Sequence, residues 1–200
     1  MLRVDPENIA IGGCSAGAHI TAILAQRCQH LQNIPLKLQI LTVPATDLTV
    51  LSSNPPWSLS PHCPYPSYLE NASAPCLPLE RMQFFMRQLL GPRFPDRIPA
   101  AEPCVLGAEV ELSPMKAGAG GLKGLAPALV SIADVDLLRD DGESYARKLR
   151  GEGVQVKLRR YMGVPHPFVV MDEALEGARE YIRDCCDCLR RVFNWENLEV

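Results

Sequence analysis

Short apolar runs alternate with segments of helical periodicity along most of this chain. The apolar runs at 8–12, 38–43, 128–133 and 154–161 each predict a strand. Helical spacing follows at 16–30, 79–90 and 140–150, and again in a last segment that ends near residue 193. Strands that alternate with helices are typical of an α/β fold, so we expect a mostly parallel sheet with helices on both faces.

The alternation is interrupted at about residues 48–124. This stretch combines a segment rich in proline and serine with one predicted helix, and long irregular segments in compact domains are usually functional or disordered. Its large apolar side chains include Trp57, Tyr65, Tyr68, Met82, Phe85 and Met86. We interpret the chain as one domain over 1–200 with an insertion at about 48–124.

Composition excludes several classes of function. The chain has 200 residues, 47% of them apolar, and a net charge of −3 without a basic block, so nothing favours nucleic acid as a partner. No apolar run approaches the length of a membrane span, and the N-terminus does not resemble a signal peptide. Half of the eight cysteines fall within predicted helices, and a chain of this size does not need disulfides to be stable. We therefore expect free thiols, a cytoplasmic protein, and neither a metal nor another cofactor.

The candidate chemistry begins at Gly13–Gly17, which reads Gly-Cys-Ser-Ala-Gly between a predicted strand and a predicted helix. In that context Gly-x-Ser-x-Gly predicts a nucleophile elbow, a tight turn that presents its serine and needs small neighbours. Ser15 is then the nucleophile, and the N–H of Ala16 is a donor to an oxyanion at the helix N-terminus. A phosphate-binding glycine turn is the alternative, but the lysine of a P-loop is missing.

A serine nucleophile needs a base and an orienting carboxylate, which follow it in the chain order Ser, Asp, His in this kind of site. Asp136 follows the strand predicted to end at 133, and His166 follows the strand predicted to end at 161. We therefore predict a catalytic triad of Ser15, Asp136 and His166. The rivals are Asp134, Asp140 as a helix cap, His19, His30 and His62. Asp172 is a candidate cap of the last helix.

These motifs together resemble the α/β-hydrolase fold-3 family, the hormone-sensitive-lipase-like esterases. The residues that carry the resemblance are DPENIAIGGCSAG at 5–17, PATDL at 44–48, LSPM at 112–115, DLLRDDGE at 136–143 and YMGVPHPF at 161–168. The resemblance implies an α/β-hydrolase fold that cleaves carboxylic esters of small to medium acyl groups or specialised metabolites. A small-molecule ester is then the partner. Trp57, Tyr65, Tyr68 and Phe85 are expected to line its pocket, with core packing as the alternative for the helix face.

The sequence departs from this family at several positions. Cys14, Ala18, Leu137 and Pro167 replace residues that the family usually has. The family also carries a His-Gly-Gly-Gly oxyanion loop tens of residues before the serine, whereas 14 residues precede Ser15. We therefore expect only the C-terminal portion of the fold, with half of the oxyanion hole and an exposed apolar edge strand at 9–12 that favours self-association. The alternatives are a weakly active or inactive remnant and a ligand-binding module of hydrolase fold.

Overall fold

The computed structural model describes residues 5–29, 34–51, 58–90 and 113–194. Within them lie four strands: β1 (Ile9–Cys14), β2 (Leu36–Thr42), β3 (Ala128–Val135) and β4 (Val156–Pro165). They form a sheet in the order β1-β2-β3-β4, and every neighbouring pair is parallel. The four strands are those that the apolar runs predict, with ends displaced by at most four residues.

The described residues also form five helices: α1 (Ala16–Arg27), α2 (Ser67–Glu70), α3 (Leu79–Leu90), α4 (Arg139–Gly151) and α5 (Glu176–Val192). Helix α3 has the predicted bounds, whereas the one-turn α2 lies in the proline-rich segment and was not predicted. Two predicted caps are wrong, because α4 begins after Leu138 and α5 after Leu175. Asp140 instead accepts a hydrogen bond from the Ser67 N–H, and Asp172 lies before the start of α5.

Helices cover both faces of the sheet, as expected for this fold class. Alternate residues of β3 point to opposite faces. Val130 packs against α1 and α4 in a cluster with Ala22 and Leu149, while Leu129 packs against Cys188 of α5. The two faces therefore have separate apolar cores, and the buried run of β3 fits its place between them.

The insertion packs beyond the carboxyl ends of the strands. Its buried cluster joins Tyr68 and Met82 to Leu48, which follows β2, and to Leu137, which follows β3. The carboxyl edge of a parallel sheet is where α/β folds place their sites. The insertion thus covers the carboxyl edge of the sheet, where the candidate residues Ser15, Asp136 and His166 follow their strands.

Strand β1 lies at one end of the four-stranded order and pairs with β2. Its sequence, IAIGGC, contains neither a charge nor a proline, and most of its residues are partly exposed. Charges and prolines are the usual features that keep an edge strand from pairing with another chain. Within the described residues, β1 therefore presents the apolar edge that the sequence predicts.

Candidate active site

The turn between β1 and α1 presents Ser15 in a strained conformation. Ser15 has a φ of 56°, in the left-handed region that side chains other than glycine rarely adopt. The Ser15 N–H donates to the Thr42 carbonyl oxygen at 2.8 Å, and the Ser15 carbonyl oxygen accepts from the His19 N–H at 3.0 Å. These two bonds hold the strained residue between the end of β2 and the first turn of α1, as a nucleophile elbow requires.

The two glycines of the elbow have different roles. A Cβ atom on Gly13 would lie 2.3 Å from the carbonyl carbon of Gly17, so the strand and the helix approach too closely for any side chain there. A Cβ on Gly17 would meet nothing within 4 Å among the described residues. The predicted need for small residues in this turn is therefore explained by space at Gly13, whereas Gly17 has room for a Cβ.

Three side chains from distant parts of the chain form a hydrogen-bonded row. The Oγ of Ser15 lies 2.9 Å from Nε2 of His166, and Nδ1 of His166 lies 2.8 Å from Oδ2 of Asp136. Asp136 and His166 are 1% and 5% exposed. When Nδ1 of His166 carries the proton, its N–H donates to the Asp136 carboxylate. The unprotonated Nε2 can then accept the proton of the Ser15 hydroxyl.

The loop after β3 holds the Asp136 end of this row. The second carboxylate oxygen of Asp136 accepts from the Leu138 N–H at 3.1 Å, and its carbonyl oxygen accepts from the Asn71 side-chain amide at 2.9 Å. Asn71 belongs to the insertion, so the insertion itself helps to fix the carboxylate. No sequence pattern points to Asn71, because it lies 65 positions from Asp136.

The His166 end of the row depends on the C-terminal part of β4, which leads directly into the loop that carries His166. Asp134 accepts from the Gly163 N–H at 3.2 Å and also pairs with Arg160, whose guanidinium lowers the pKa of that carboxyl. Phe168 follows Pro167, the position at which the sequence departs from the usual residue of the family. Phe168 is fully buried, and its ring centroid lies 4.9 Å from that of Tyr161. Asp134 therefore supports the loop that carries His166 and does not contact the imidazole in the described hydrogen bonds.

The other rival residues lie elsewhere. Asp140 pairs with Arg139, and His62 lies in the exposed part of the insertion loop. His30 lies outside the described residues. Nδ1 of His19 lies 2.7 Å from the carbonyl oxygen of Ala45, and burial lowers the pKa of this histidine. A neutral His19 therefore donates to Ala45 and borders the site without joining the row.

Cys14 stands beside Ser15 and is a chemical competitor for the role of nucleophile. Burial raises the pKa of the Cys14 thiol, and the negative charge of Asp136 raises it further. Since the thiolate is the reactive form of cysteine, this environment disfavours reaction at Cys14. The geometry agrees, because His166 hydrogen-bonds to the serine hydroxyl.

A cavity of about 480 Å³ opens beside Ser15. At the elbow it is lined by Cys14, Ser15, Ala16 and His19; the remaining lining residues are apolar and comprise Ala45, Leu48, Leu77, Met82, Phe85, Met86, Leu89 and Leu138. The residues from α3 occupy one helical face, since they recur at spacings of three and four. Met82 and Met86 are buried, whereas Phe85 is 50% exposed, so the helix contributes both an inner wall and a rim.

This lining corrects part of the expected pocket. Phe85 lines it, but Tyr65 and Tyr68 do not. Both tyrosines are buried in the core of the insertion, where the Tyr65 hydroxyl donates to Asp47 at 2.9 Å. Trp57 lies outside the described residues. The lining residues that the sequence analysis does not predict include Ala45, Leu48 and Leu138. The signal for them is their position within six residues of the carboxyl ends of β2 and β3.

Ala16 begins α1 and lines the same cavity. Its N–H is among the four at a helix N-terminus that have no acceptor within the helix, and it lies at the positive end of the helix dipole. The arrangement therefore offers a donor next to the Ser15 hydroxyl, where negative charge on a substrate oxygen would develop.

The part of the chain that the structure describes contains neither a metal-binding cluster nor a membrane-spanning helix. No group of three or more histidine, cysteine, aspartate or glutamate side chains there is arranged to hold a metal ion. None of the described helices is long and apolar enough to cross a membrane.

Comparison with known proteins gives the family. A family model described as alpha/beta hydrolase fold matches residues 1–170, and the chain belongs to this family, the α/β-hydrolase fold-3 proteins. An AB hydrolase superfamily protein of Schizosaccharomyces pombe is 31% identical over 195 residues, which cover 96% of this chain and 51% of the relative. Carboxylesterase NlhH of Mycobacterium tuberculosis is 32% identical over 88% of this chain and 48% of the relative. The chain thus spans about half the length of these curated relatives.

Solved structures agree with the fold. An esterase of Pyrobaculum calidifontis superposes with a TM-score of 0.73 at 29% identity, over 94% of this chain and 53% of that one. A fungal esterase from Rhizomucor miehei gives a TM-score of 0.74 at 26% identity, over 96% of this chain and 52% of that one. The predicted α/β-hydrolase fold is confirmed.

Proposed function

We propose that this protein hydrolyses carboxylic esters with Ser15 as nucleophile, His166 as base and Asp136 as the carboxylate that orients the imidazole. The single observation that carries the proposal is the continuous hydrogen-bonded row from Ser15 Oγ through His166 to Asp136. The proposal is also supported by relatives named carboxylesterase and ethyl acetate hydrolase.

In the proposed reaction, Ser15 Oγ attacks the ester carbonyl carbon while Nε2 of His166 takes the hydroxyl proton. Asp136 stabilises the imidazolium, and the Ala16 N–H donates to the oxyanion. The tetrahedral intermediate collapses when His166 returns the proton to the leaving alcohol. Water then attacks the acyl-enzyme with His166 again as base, which releases the acid and regenerates Ser15.

The cavity favours an uncharged substrate with an apolar acyl or alcohol group. Apart from the elbow, its lining is formed by aliphatic, methionine and phenylalanine side chains. A charged group would lose its hydration there without gaining an ionic partner, which is costly. We therefore propose esters of small to medium acyl groups or neutral specialised metabolites as the substrate class.

A fluorophosphonate probe tests the proposed nucleophile. We expect the protein to be labelled, with loss of labelling in Ser15→Ala and strong slowing in His166→Gln. Ser144→Ala is the matched control, because Ser144 lies on α4 and its hydroxyl accepts a hydrogen bond from Arg147. Labelling that persists in Ser15→Ala while Ser144→Ala behaves normally would assign the reaction to another residue.

A weakly active hydrolase is the second candidate function. Among the described residues, the Ala16 N–H is the oxyanion donor identified beside Ser15, and an oxyanion hole with one donor fewer typically reacts about 10² to 10³ more slowly. Fast labelling of Ser15 with very slow turnover of p-nitrophenyl acetate would favour this candidate. A binding module without hydrolysis is less well supported, because His166 lies within hydrogen-bonding distance of the serine hydroxyl.

We also propose that the β1 edge mediates self-association. The support is its terminal place in the strand order and its uncharged, proline-free sequence. Light scattering would show dimers or larger species for the original chain, and Ile9→Lys would shift them towards monomer. An unchanged distribution in Ile9→Lys, or monomers in both proteins, would refute this part of the proposal.

A cytoplasmic location is proposed from the thiols. The seven described cysteines are all free, as is usual in a reducing compartment. Fractionation of cells that produce the tagged protein tests this, and recovery in the secreted fraction would contradict it.

A further inference from the structure

Two buried carboxylates, Asp47 and Asp141, lie behind one wall of the cavity and take no part in the serine row. Asp141 is fully buried. Its oxygens accept from the Thr46 N–H at 3.0 and 3.2 Å, from the Asp47 N–H at 3.2 Å, and from the Thr46 hydroxyl. One carboxylate from α4 therefore holds two successive peptide groups of the segment that follows β2.

Those peptide groups lie between two lining residues of the cavity. Ala45 precedes Thr46 and Leu48 follows Asp47, and both line the cavity beside Ser15. Ala45 also accepts a hydrogen bond from His19, another lining residue, through its carbonyl oxygen. A shift of the Thr46 and Asp47 peptides would therefore move this wall of the cavity.

The N-terminus of α4 also lies close to the hydrogen-bonded row of Ser15, His166 and Asp136. Leu138, three positions before Asp141, lines the cavity, and its N–H donates to the Asp136 carboxylate. A Cβ on Gly142 would lie 2.9 Å from the side chain of Ile132 and 3.2 Å from that of Pro44. This close contact packs the first turn of α4 against the segment after β2. The backbone of Asp141 is therefore held in place where its carboxylate contacts Thr46.

Asp47 extends the arrangement into the insertion. Its carboxylate accepts from the Tyr65 hydroxyl at 2.9 Å and from the Thr49 N–H at 3.1 Å, and it pairs with Lys116 at 3.2 Å. Asp47 therefore has polar partners in the insertion, while the described partners of Asp141, Thr46 and Asp47, lie between the cavity-lining residues Ala45 and Leu48.

We propose that Asp141 is a positioning residue that sets the cavity wall at Ala45–Leu48 and thereby selects the length of the apolar group of the substrate. The inference rests on the proposed esterase function. Fold stability alone gives little reason for a charge here, because a buried carboxylate costs desolvation that a well-packed apolar residue avoids. The hydrogen bonds of Asp141 instead fix backbone groups beside the reacting serine.

The test measures selectivity separately from the chemistry of Ser15. At pH 8 we expect Asp141→Asn to react with a small fluorophosphonate at a rate within about twofold of the original protein. Its ratio of kcat/KM for p-nitrophenyl hexanoate over acetate should fall about tenfold, the scale of a lost buried hydrogen bond to a charged group. Asp140→Asn is the matched control, since Asp140 bonds to Ser67 and Arg139 rather than to the wall.

A second pair of variants keeps the inference testable if Asp141→Asn does not fold. Thr46→Val removes the hydroxyl donor, and Thr46→Ser keeps it, so the first should lower the hexanoate-to-acetate ratio and the second should restore it. Unchanged ratios in both Asp141→Asn and Thr46→Val overturn the inference. If Asp141→Asn is unfolded, an unchanged ratio in Thr46→Val does so alone.

Binding of unreactive amides separates this inference from the proposed function. Calorimetry with acetamide, butanamide and hexanamide should show tighter binding with chain length in the original protein and a flatter series in Asp141→Asn. If Ser15 is not labelled but the amide series still flattens, hydrolysis fails and the positioning role stands. If labelling is normal and the two amide series coincide, the positioning role fails and hydrolysis stands.

Discussion

The two sides of the cavity are built in different ways. On the side of Ser15, the backbone at Gly13 packs too closely against Gly17 for a Cβ, and Ser15 adopts a strained φ. Hydrogen bonds between buried groups, such as that between His166 and Asp136, fix the side chains there. On the side of α3, the wall is formed by Met82, Phe85 and Met86, whose side chains contact the cavity without polar anchors. The first side is constrained by backbone packing and hydrogen bonds, whereas methionine side chains adapt to irregular shapes. Under the proposed function, we therefore expect substitutions on the two sides to affect the reaction and the substrate selectivity separately.

The largest expected effect tests the rigid side. Ser15→Ala should lower ester hydrolysis by roughly 10⁴-fold or more, because the attacking oxygen is lost. Asp136→Asn should keep the fold and lower kcat by about 10⁴-fold, since the amide favours the wrong imidazole tautomer. Steady-state kinetics with p-nitrophenyl acetate measures both. A loss below tenfold in either variant would show that the hydrogen-bonded row is not the reacting group.

The next effect concerns Asp141, on the boundary between the two sides. Burial raises its pKa to about 7 from an unfolded value of 3.8. Between about pH 4 and 7 the folded state therefore binds a proton that the unfolded state has released, so stability falls as pH rises, by up to about 1.4 kcal/mol per pH unit. The ionisable groups around it are Asp47, Cys63, Tyr65 and Tyr68, with Lys116 on Asp47.

Urea unfolding of the original protein and of Asp141→Asn at intervals from pH 4 to 8 isolates this contribution. The difference in unfolding free energy should move in favour of the asparagine variant as pH rises towards 7. A difference that is constant over this range would contradict the raised pKa.

The third effect contrasts the two glycines of the elbow. Gly13→Ala should destabilise the fold by about 3 kcal/mol, because its Cβ would overlap the backbone of Gly17. Gly17→Ala should be neutral or stabilising by about 0.5 kcal/mol, since the position is helical and open among the described residues. Thermal unfolding monitored by circular dichroism measures both, and equal losses in the two variants would refute the assigned difference.

The smallest effect tests the adaptable side with two neighbouring rings. Phe85 and Phe84 are 50% and 52% exposed, but only Phe85 contributes to the described cavity lining. Phe85→Ala should raise KM for p-nitrophenyl hexanoate about tenfold by removing apolar contact, whereas Phe84→Ala should leave it unchanged. Equal KM values in the two variants would remove Phe85 from the proposed substrate pocket.

The elements differ in how far sequence alone predicts them. The strands were predictable because a buried strand is a short apolar run, and α3 because its apolar face has a helical period. The one-turn α2 and the N-caps at Leu138 and Leu175 were not, since these depend on long-range contacts such as the bond from Ser67 to Asp140. The aromatic content of the insertion predicts that Tyr65 and Tyr68 line the pocket, but composition does not reveal which way a ring packs, and both rings are buried in the core of the insertion.

The sequence by itself determined the order of the elements, the family and the three residues proposed for the triad. This information can be read from short segments, because the elbow has a glycine two positions before its serine and each partner residue follows a strand in a fixed chain order. Only the tertiary structure decided which side chains surround Ser15, how Asp141 holds the Thr46–Asp47 peptides, and that Gly13 rather than Gly17 is needed for space. The first two features depend on contacts between distant segments, such as Thr46 and Asp141, which are 95 positions apart, and sequence periodicity does not encode such contacts.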